Sequence, residues 1–103
     1  SEDDSDKSYH LAIKMGYDPK HIVLVGETTS CDTAYNLSEN EHHSLILINP
    51  KRTYLLKTKT LIYHMPGYST DQTATYLTIQ GNDNAIIMPD YYIYELGSFL
   101  TSS

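Results

Sequence analysis

The chain has 103 residues, of which 40% are hydrophobic and 19% are charged, and this suits one folded domain while excluding disorder driven by charge repulsion. Thirteen acidic against seven basic residues give a net charge of −6, which disfavours nucleic-acid binding because that affinity comes largely from neutralising phosphates. No apolar run approaches the roughly 20 residues that span a bilayer, so no membrane partner is expected. The one cysteine, Cys31, cannot form an internal disulfide, which favours an intracellular compartment, cytoplasmic or nuclear.

The first residues of the chain are acidic and polar. Residues 1–6 contain four of the acidic residues and no apolar one, so we expect a disordered acidic leader. Residues 7–103 are expected to form a single β-rich domain, because no linker or internal repeat divides them.

A short helix is predicted directly after this leader. Ser5 or Asp6 can cap its first turn, and Gly16 can adopt the left-handed conformation that often ends a helix. About ten residues cannot hold a helix without tertiary contacts, so one face must pack on the domain. That face is expected to consist of Ser8, Leu11, Ala12 and Met15.

Short apolar segments bounded by turn residues predict the strands. They are residues 21–25, 44–49, 53–57, 60–64, 73–80 and 85–88. The polar residues 28–41 predict a loop with a short helical turn, and residues 81–84 predict a hairpin that joins the last two strands. Residues 91–100 have the composition of a strand and the apolar spacing of a helix, so both structures stay open for them.

Six or seven short strands predict a mostly β fold. The expected architecture is a small barrel or sandwich with one N-terminal helix. The alternative is an α+β two-layer fold, in which the N-terminal helix lies on a sheet.

The histidines and the cysteine predict no metal site or cofactor. Zinc sites use close ligand pairs, whereas the histidines of this chain are either isolated or directly adjacent. Asp32-Thr33-Ala34 resembles the Asp-Thr-Gly motif of aspartic proteases, and a β domain of this length would suit the dimeric retroviral type. The resemblance implies a catalytic role for Asp32, although Ala34 replaces the glycine and the residues before Asp32 are polar. No catalytic residue is assigned, and this enzymatic function is a second alternative.

One basic cluster suggests a different alternative. Small barrels bind single-stranded nucleic acid by combining basic grooves with stacked aromatic rings. The candidate residues are Lys51, Arg52, Tyr54, Lys57 and Lys59.

The tyrosines lead to the preferred hypothesis. The chain has ten tyrosines, one phenylalanine and no tryptophan, and a domain this small cannot bury ten phenols, each of which needs a hydrogen-bond partner. Tyrosine is also enriched at protein interfaces. We therefore expect a non-enzymatic protein–protein interaction or assembly domain, which binds a protein partner or a second copy through a tyrosine-rich β surface. The expected partner-binding residues are Tyr91, Tyr92 and Tyr94.

Overall fold

The computed structural model describes the backbone of residues 2–63, 77–78, 85–87 and 92–101, and the side chains of residues 6–63 and 96–101. The helices are α1 (Glu2–Lys14), α2 (Cys31–Leu37) and α3 (Tyr92–Thr101). The strands are β1 (Val23–Glu27), β2 (Ser44–Ile48), β3 (Leu55–Leu56), β4 (Thr60–Tyr63), β5 (Leu77–Thr78) and β6 (Ala85–Ile87). Within these ranges no helix is both long enough and apolar enough to cross a bilayer.

The strands form a parallel sheet, and the expected barrel or sandwich is wrong. Strands β1, β2, β4 and β6 are neighbours in that order, and each pair is parallel. The short strands β3 and β5 form a separate parallel pair. Adjacent parallel strands need a crossover between them, and α2 supplies it between β1 and β2. The chain therefore has an α+β fold rather than a mostly β one.

The sheet is buried on both faces, each by its own apolar cluster. Because side chains alternate along a strand, Leu24 and Leu45 point to the face that α1 and α2 cover. Ile46 and Leu61 point to the other face, where they meet Phe99 of α3. Burial on both faces explains the nearly uninterrupted apolar runs of β2 and β4, which are typical of parallel sheets.

Gly26 allows α2 to pack closely against β1. A Cβ atom built on Gly26 would lie 2.7 Å from the Cα of Cys31, 2.7 Å from the carbonyl oxygen of Ser30 and 2.9 Å from the Cβ of Ala34. Two of these three contacts are with backbone, which cannot rotate away. The turn that starts this helix follows at Thr28, whose φ of 48° is rare for a β-branched residue.

Helix α1 forms as predicted in type, but it begins at Glu2 and buries a different face. It ends before Gly16, whose φ is 94°. Tyr9 is buried in the core, and its hydroxyl donates a 2.7 Å hydrogen bond to the carbonyl oxygen of Glu41. Leu11 and Met15, by contrast, are 56% and 64% exposed, so the face expected to be buried is largely at the surface.

The C-terminal segment is a helix, and residues 81–84 of the predicted hairpin lie outside the described residues. Residues 92–101 form α3, whose Leu96, Phe99 and Leu100 pack on the sheet at helical spacing. Strands β5 and β6 do not pair with each other, since β5 pairs with β3 and β6 pairs with β4. The described parts of these two strands therefore pair in parallel with strands that lie earlier in the chain.

Replacing Gly26 with alanine is predicted to destabilise the protein by about 2 kcal/mol or more, because the new methyl group would push α2 away from β1. Urea unfolding followed by circular dichroism measures this free energy. Gly97→Ala is the matched control, since a Cβ there meets nothing within 4 Å. Alanine inside α3 should stabilise the protein by about 0.5–1 kcal/mol. Equal effects of the two substitutions would contradict the close packing at Gly26.

Candidate functional site

The candidate residue Asp32 lies in a cluster at the carboxyl ends of β1 and β2, the edge where open parallel sheets usually bind ligands. Its carboxylate accepts a 2.7 Å hydrogen bond from Nε of Arg52 and a 2.5 Å hydrogen bond from the hydroxyl of Tyr54. The Arg52 guanidinium lies 4.0 Å from the centre of the Tyr54 ring, and the Tyr35 ring lies 4.7 Å from the same ring. We call these four residues the Asp32 cluster.

The hydrogen bonds of the Asp32 cluster define its chemistry. The Tyr54 hydroxyl and the Arg52 guanidinium lower the pKa of Asp32, so the carboxylate is a weak base. Burial and the bond to Asp32 raise the pKa of Tyr54, which keeps the phenol protonated. The aspartic protease interpretation requires two carboxylates that share a proton, and here Asp32 instead lies in a helix with a guanidinium and a phenol as partners. The observed contacts connect α2 to the segment after β2.

Cys31 lies beside this cluster but is enclosed. Its side chain is fully buried, and its thiol lies 3.4 Å from the carbonyl oxygen of Gly26 and 3.6 Å from that of Ile48. Burial raises the pKa of Cys31 to about 11, and the negative charges of Asp32 and Glu27 add to the effect. A thiol with this pKa contains little of the nucleophilic thiolate near neutral pH.

The basic residues proposed for nucleic-acid binding do not form one groove. Arg52 pairs with Asp32, and Lys57 lies 3.6 Å from a carboxylate oxygen of Glu39. Lys59 lies 4.8 Å from the centre of the Phe99 ring, while Lys51 is exposed in the segment after β2. Tyr54 is 2% exposed, so its ring offers no open surface for stacking a base.

The tyrosines proposed for partner binding fall largely outside the described residues. Tyr91 lies outside them altogether, and Tyr92 and Tyr94 lie in α3 with side chains outside the described set. Of the five tyrosines whose side chains are described, Tyr9, Tyr35 and Tyr54 each donate a hydrogen bond from the hydroxyl within the chain, whereas Tyr17 is 61% exposed. These three phenols therefore stabilise the fold.

The histidines and Cys31 do not assemble a cation site in the described part of the chain. No group of three or more histidine, cysteine or acidic side chains converges there. His42 instead contacts the carbonyl oxygen of Asn40 at 2.7 Å and the hydroxyl of Thr58 at 3.1 Å, and His43 contacts the hydroxyl of Ser44 at 2.9 Å.

Strand β1 is an edge of the four-stranded sheet, and the hydrogen bonds of β2 show which of its backbone groups face outward. Leu45 N–H donates to Lys59 and Asn49 N–H donates to Tyr63, so the odd-numbered residues of β2 face β4. Ile46 must then face β1.

The register of β1 and β2 completes this assignment. Ile46 pairs with Val25, and in a parallel pair it bonds to the residues on either side of its partner. Leu24 and Gly26 therefore face β2. The N–H and C=O groups of Val23 and Val25 point away from β2, along an edge that no other strand of the described residues covers.

A groove of about 330 Å³ runs beside this edge. We call it the β1 groove. Its lining comes from α1, from β1 and the residue before it, and from α2 and the residue before it: Ser8, Tyr9, Ala12, Ile22, Val23, Leu24, Val25, Ser30, Ala34 and Leu37. The side chain of Val23 packs on the opposite, α3-covered face, so Val23 lines the groove through its backbone. The β1 groove therefore includes the outward-facing edge of the strand.

Exposed apolar side chains of α1 border the β1 groove, whereas the side chain of Val25 points to the opposite face of the sheet. Val25 is 55% exposed there, and Val23 on the same face is half-buried against the cluster that contains Phe99. Leu11 and Met15 follow Ser8 at spacings of three and seven residues, and residues at those spacings share one face of a helix. Because Ser8 lines the groove, Leu11 and Met15 lie along the same side of α1.

Comparison with protein-family models, curated proteins and solved structures finds no match for this chain. Functional inference therefore depends on the Asp32 cluster and the β1 groove themselves. Of these, the β1 groove presents open apolar surface and outward-facing backbone groups, while the Asp32 carboxylate and the Tyr54 hydroxyl are bonded to each other.

The sequence did not point to the β1 groove, because nothing local marks β1 as an edge strand. Its apolar run resembles that of β2, which is covered on both sides. One usable signal was present in α1, where Leu11, Ala12 and Met15 form an apolar face. The prediction that this face packs on the domain was wrong, since Leu11 and Met15 are 56% and 64% exposed.

Asp32→Asn is predicted to cost about 1 kcal/mol near neutral pH, because Asp32 is 58% exposed and exposed ion pairs and single hydrogen bonds contribute this much. A lowered pKa in the folded state means that the carboxylate stabilises the fold above its unfolded pKa. This contribution disappears as the pH falls through the folded pKa. Urea unfolding of both proteins near neutral pH and in acid tests the prediction.

Tyr35→Phe is the matched control for this pH dependence. The Tyr35 hydroxyl bonds to the carbonyl oxygen of Leu55 and not to Asp32, so its removal should cost the same at both pH values. The free energy of unfolding is the quantity compared. If Asp32→Asn and the parent protein differ in it by the same amount near neutral pH and in acid, the stabilising role of the ionised Asp32 carboxylate is contradicted.

Cys31 is predicted to react with a disulfide reagent such as Ellman's reagent only through unfolding. A rise in pKa from 9.0 to about 11 lowers the thiolate fraction roughly a hundredfold, and full burial blocks access as well. The rate of absorbance change should therefore increase steeply with urea and reach the rate of a free thiol after unfolding. A native protein that reacts as fast as the unfolded one would contradict the buried position of the thiol.

Proposed function

We propose that this chain is a non-enzymatic protein–protein interaction or assembly domain, which binds an extended polypeptide segment along the open edge of β1. The observation that supports this proposal is the juxtaposition of outward-facing backbone groups on Val23 and Val25 with the apolar β1 groove. Recognition by strand addition uses these two elements: the backbone of an edge strand supplies hydrogen bonds, and a neighbouring pocket receives alternate side chains.

The edge of β1 has few of the features that protect edge strands from pairing. Natural edges are blocked by lysines, prolines, bulges or a covering element. β1 has the sequence Val23-Leu24-Val25-Gly26-Glu27, whose one charge lies at its last residue. In the described part of the chain, β2 is its one strand neighbour. An edge with this composition is suited to pairing with another strand.

The lining of the β1 groove also suits an apolar peptide side chain better than a polar ligand. Its described lining is mostly apolar, with the hydroxyl-bearing Ser8, Tyr9 and Ser30 as the polar contributors. The Tyr9 hydroxyl is already bonded to Glu41. An apolar peptide side chain would bury surface here without leaving a charged group unpaired.

The titratable groups of Asp32 and its neighbour Cys31 support a non-enzymatic function. The lowered pKa of Asp32 and the raised pKa of Cys31 make the first a weak base and the second a weak nucleophile. Cys31 is a free, buried thiol, which suits a reducing intracellular compartment.

Selection from a displayed library of random peptides tests the proposal. We expect it to yield binders with alternating apolar residues, which would form a strand beside β1; peptides of about twelve residues suffice because strands are usually 3–10 residues long. Val25→Lys should weaken the selected peptides at least about tenfold, since an edge lysine opposes strand pairing. Fluorescence anisotropy with labelled peptides measures the change.

Leu55→Lys is the matched control, because Leu55 is also an exposed strand residue, at 46%, but lies in β3, outside the β1 groove. Binding to this variant should equal binding to the parent protein. Failure to enrich any peptide, or equal affinity of the selected peptides for Val25→Lys, would contradict the proposed function.

A further inference from the structure

We infer that the Asp32 cluster positions α2 and thereby sets the width of the β1 groove, so that its residues determine which size of peptide side chain the groove accepts. This inference rests on the proposed function, since it concerns the specificity of the same groove. None of the four residues of the Asp32 cluster lines the groove, so they act through α2 as positioning residues.

Helix α2 has the β1 groove on one side and the Asp32 cluster on the other. Ser30, Ala34 and Leu37 line the groove, and their spacings of four and three residues place them on one side of the helix. Because a helix turns by about 100° per residue, Asp32 and Tyr35 lie roughly 160° around the axis from that set. A restraint on these two residues therefore holds α2 from the side away from the groove.

Both of these side chains bind the segment that follows β2. The Asp32 carboxylate accepts hydrogen bonds of 2.7 Å from Arg52 and 2.5 Å from Tyr54. The Tyr35 hydroxyl donates a 2.6 Å hydrogen bond to the carbonyl oxygen of Leu55, the first residue of β3. These three bonds connect a helix of only seven residues to the side of the sheet that lies away from the groove.

The β1 groove gives α2 room to move when these bonds are lost. The groove has a volume of about 330 Å³, and the two helices contribute to its lining the side chains of Ser8, Tyr9, Ala12, Ala34 and Leu37. An unfilled apolar space favours collapse, because the side chains around it lack contact partners. The close contact at Gly26 keeps α2 on β1, so α2 would shift across the sheet toward α1 and narrow the groove.

The exposure of the Asp32 cluster limits the size of the effect. The side chains of Asp32 and Arg52 are 58% and 53% exposed, so their ion pair restrains α2 only modestly. Asp32→Asn should weaken a peptide with a large apolar side chain in the groove about fivefold, and the same peptide with alanine there less than about twofold. A loss of stability alone would weaken both peptides by the same factor.

Fluorescence anisotropy with two peptides from the displayed library tests the specificity. The peptides differ only at the position that enters the groove, which is leucine in one and alanine in the other, and the ratio of their Kd values is the readout. Asp32→Asn and Tyr35→Phe should each lower the preference for leucine, and the double variant should lower it further. Phe99→Leu is the matched control, because Phe99 is buried on the opposite face of the sheet, so its loss destabilises the protein but leaves the ratio unchanged.

Spin labels on the two helices measure the groove without a peptide. Lys7→Cys on α1 and Asn36→Cys on α2 provide exposed attachment sites, while the buried Cys31 stays unlabelled in the folded protein. Pulsed electron resonance should give a shorter mean distance between the labels when Asp32→Asn and Tyr35→Phe are added, and circular dichroism confirms that each variant is folded. An unchanged distance overturns the inference.

The two measurements distinguish a failure of this inference from a failure of the proposed function. If selected peptides bind in a Val25-dependent manner but the ratio of Kd values is the same in the parent, Asp32→Asn and Tyr35→Phe proteins, the inference is overturned and the proposed function stands. If no peptide binds, or binding does not depend on Val25, the proposed function fails. The distance between the spin labels then decides by itself whether the Asp32 cluster positions α2.

Discussion

The parallel pairing of β1 with β2 is the constraint on which the rest of the structure depends. A parallel pair needs a crossover, and α2 provides it only because Gly26 lets this helix approach β1 closely. The crossover then fixes the Asp32 cluster at the carboxyl ends of the strands. It also places β1 at the edge of the sheet and directs Val23 and Val25 outward, so the β1 groove follows from the same pairing that builds the core.

Local sequence patterns were sufficient for several of the elements but not for their arrangement, and they left residues 91–100, most of which form α3, open between strand and helix. The apolar runs at β1, β2 and β4 and the helix before Gly16 could be predicted, because burial and glycine preference are properties of short segments. The parallel order of the strands could not be predicted, because the sequence of a strand does not indicate which strand it pairs with. The uninterrupted apolar run at β2, which alternates between two buried faces, was the available indication of a parallel sheet.

The candidate sites were harder to predict than the fold elements. Asp32 was selected for a resemblance to a protease motif, whereas its partners Arg52 and Tyr54 lie twenty and twenty-two residues away and depend on the crossover. Tyr54 was considered as a stacking surface, but its ring is buried beneath Arg52. The edge of β1 was missed because an edge is defined by strand order. Partner binding through tyrosines remains a prediction. The phenols of Tyr9, Tyr35 and Tyr54 instead form hydrogen bonds within the chain.

The central claim is that β1 presents an open edge that a second strand can cover. Amide hydrogen exchange resolved by residue tests it most directly, because Leu24 and Val25 are adjacent in the chain but their amides face opposite sides. In the free protein, the Leu24 amide should be protected and the Val25 amide should exchange quickly, and the Val25 amide should become protected when a selected peptide is added. A Val25 amide as protected as that of Leu24 in the free protein would mean that the edge is already covered within one chain, and the account would be wrong.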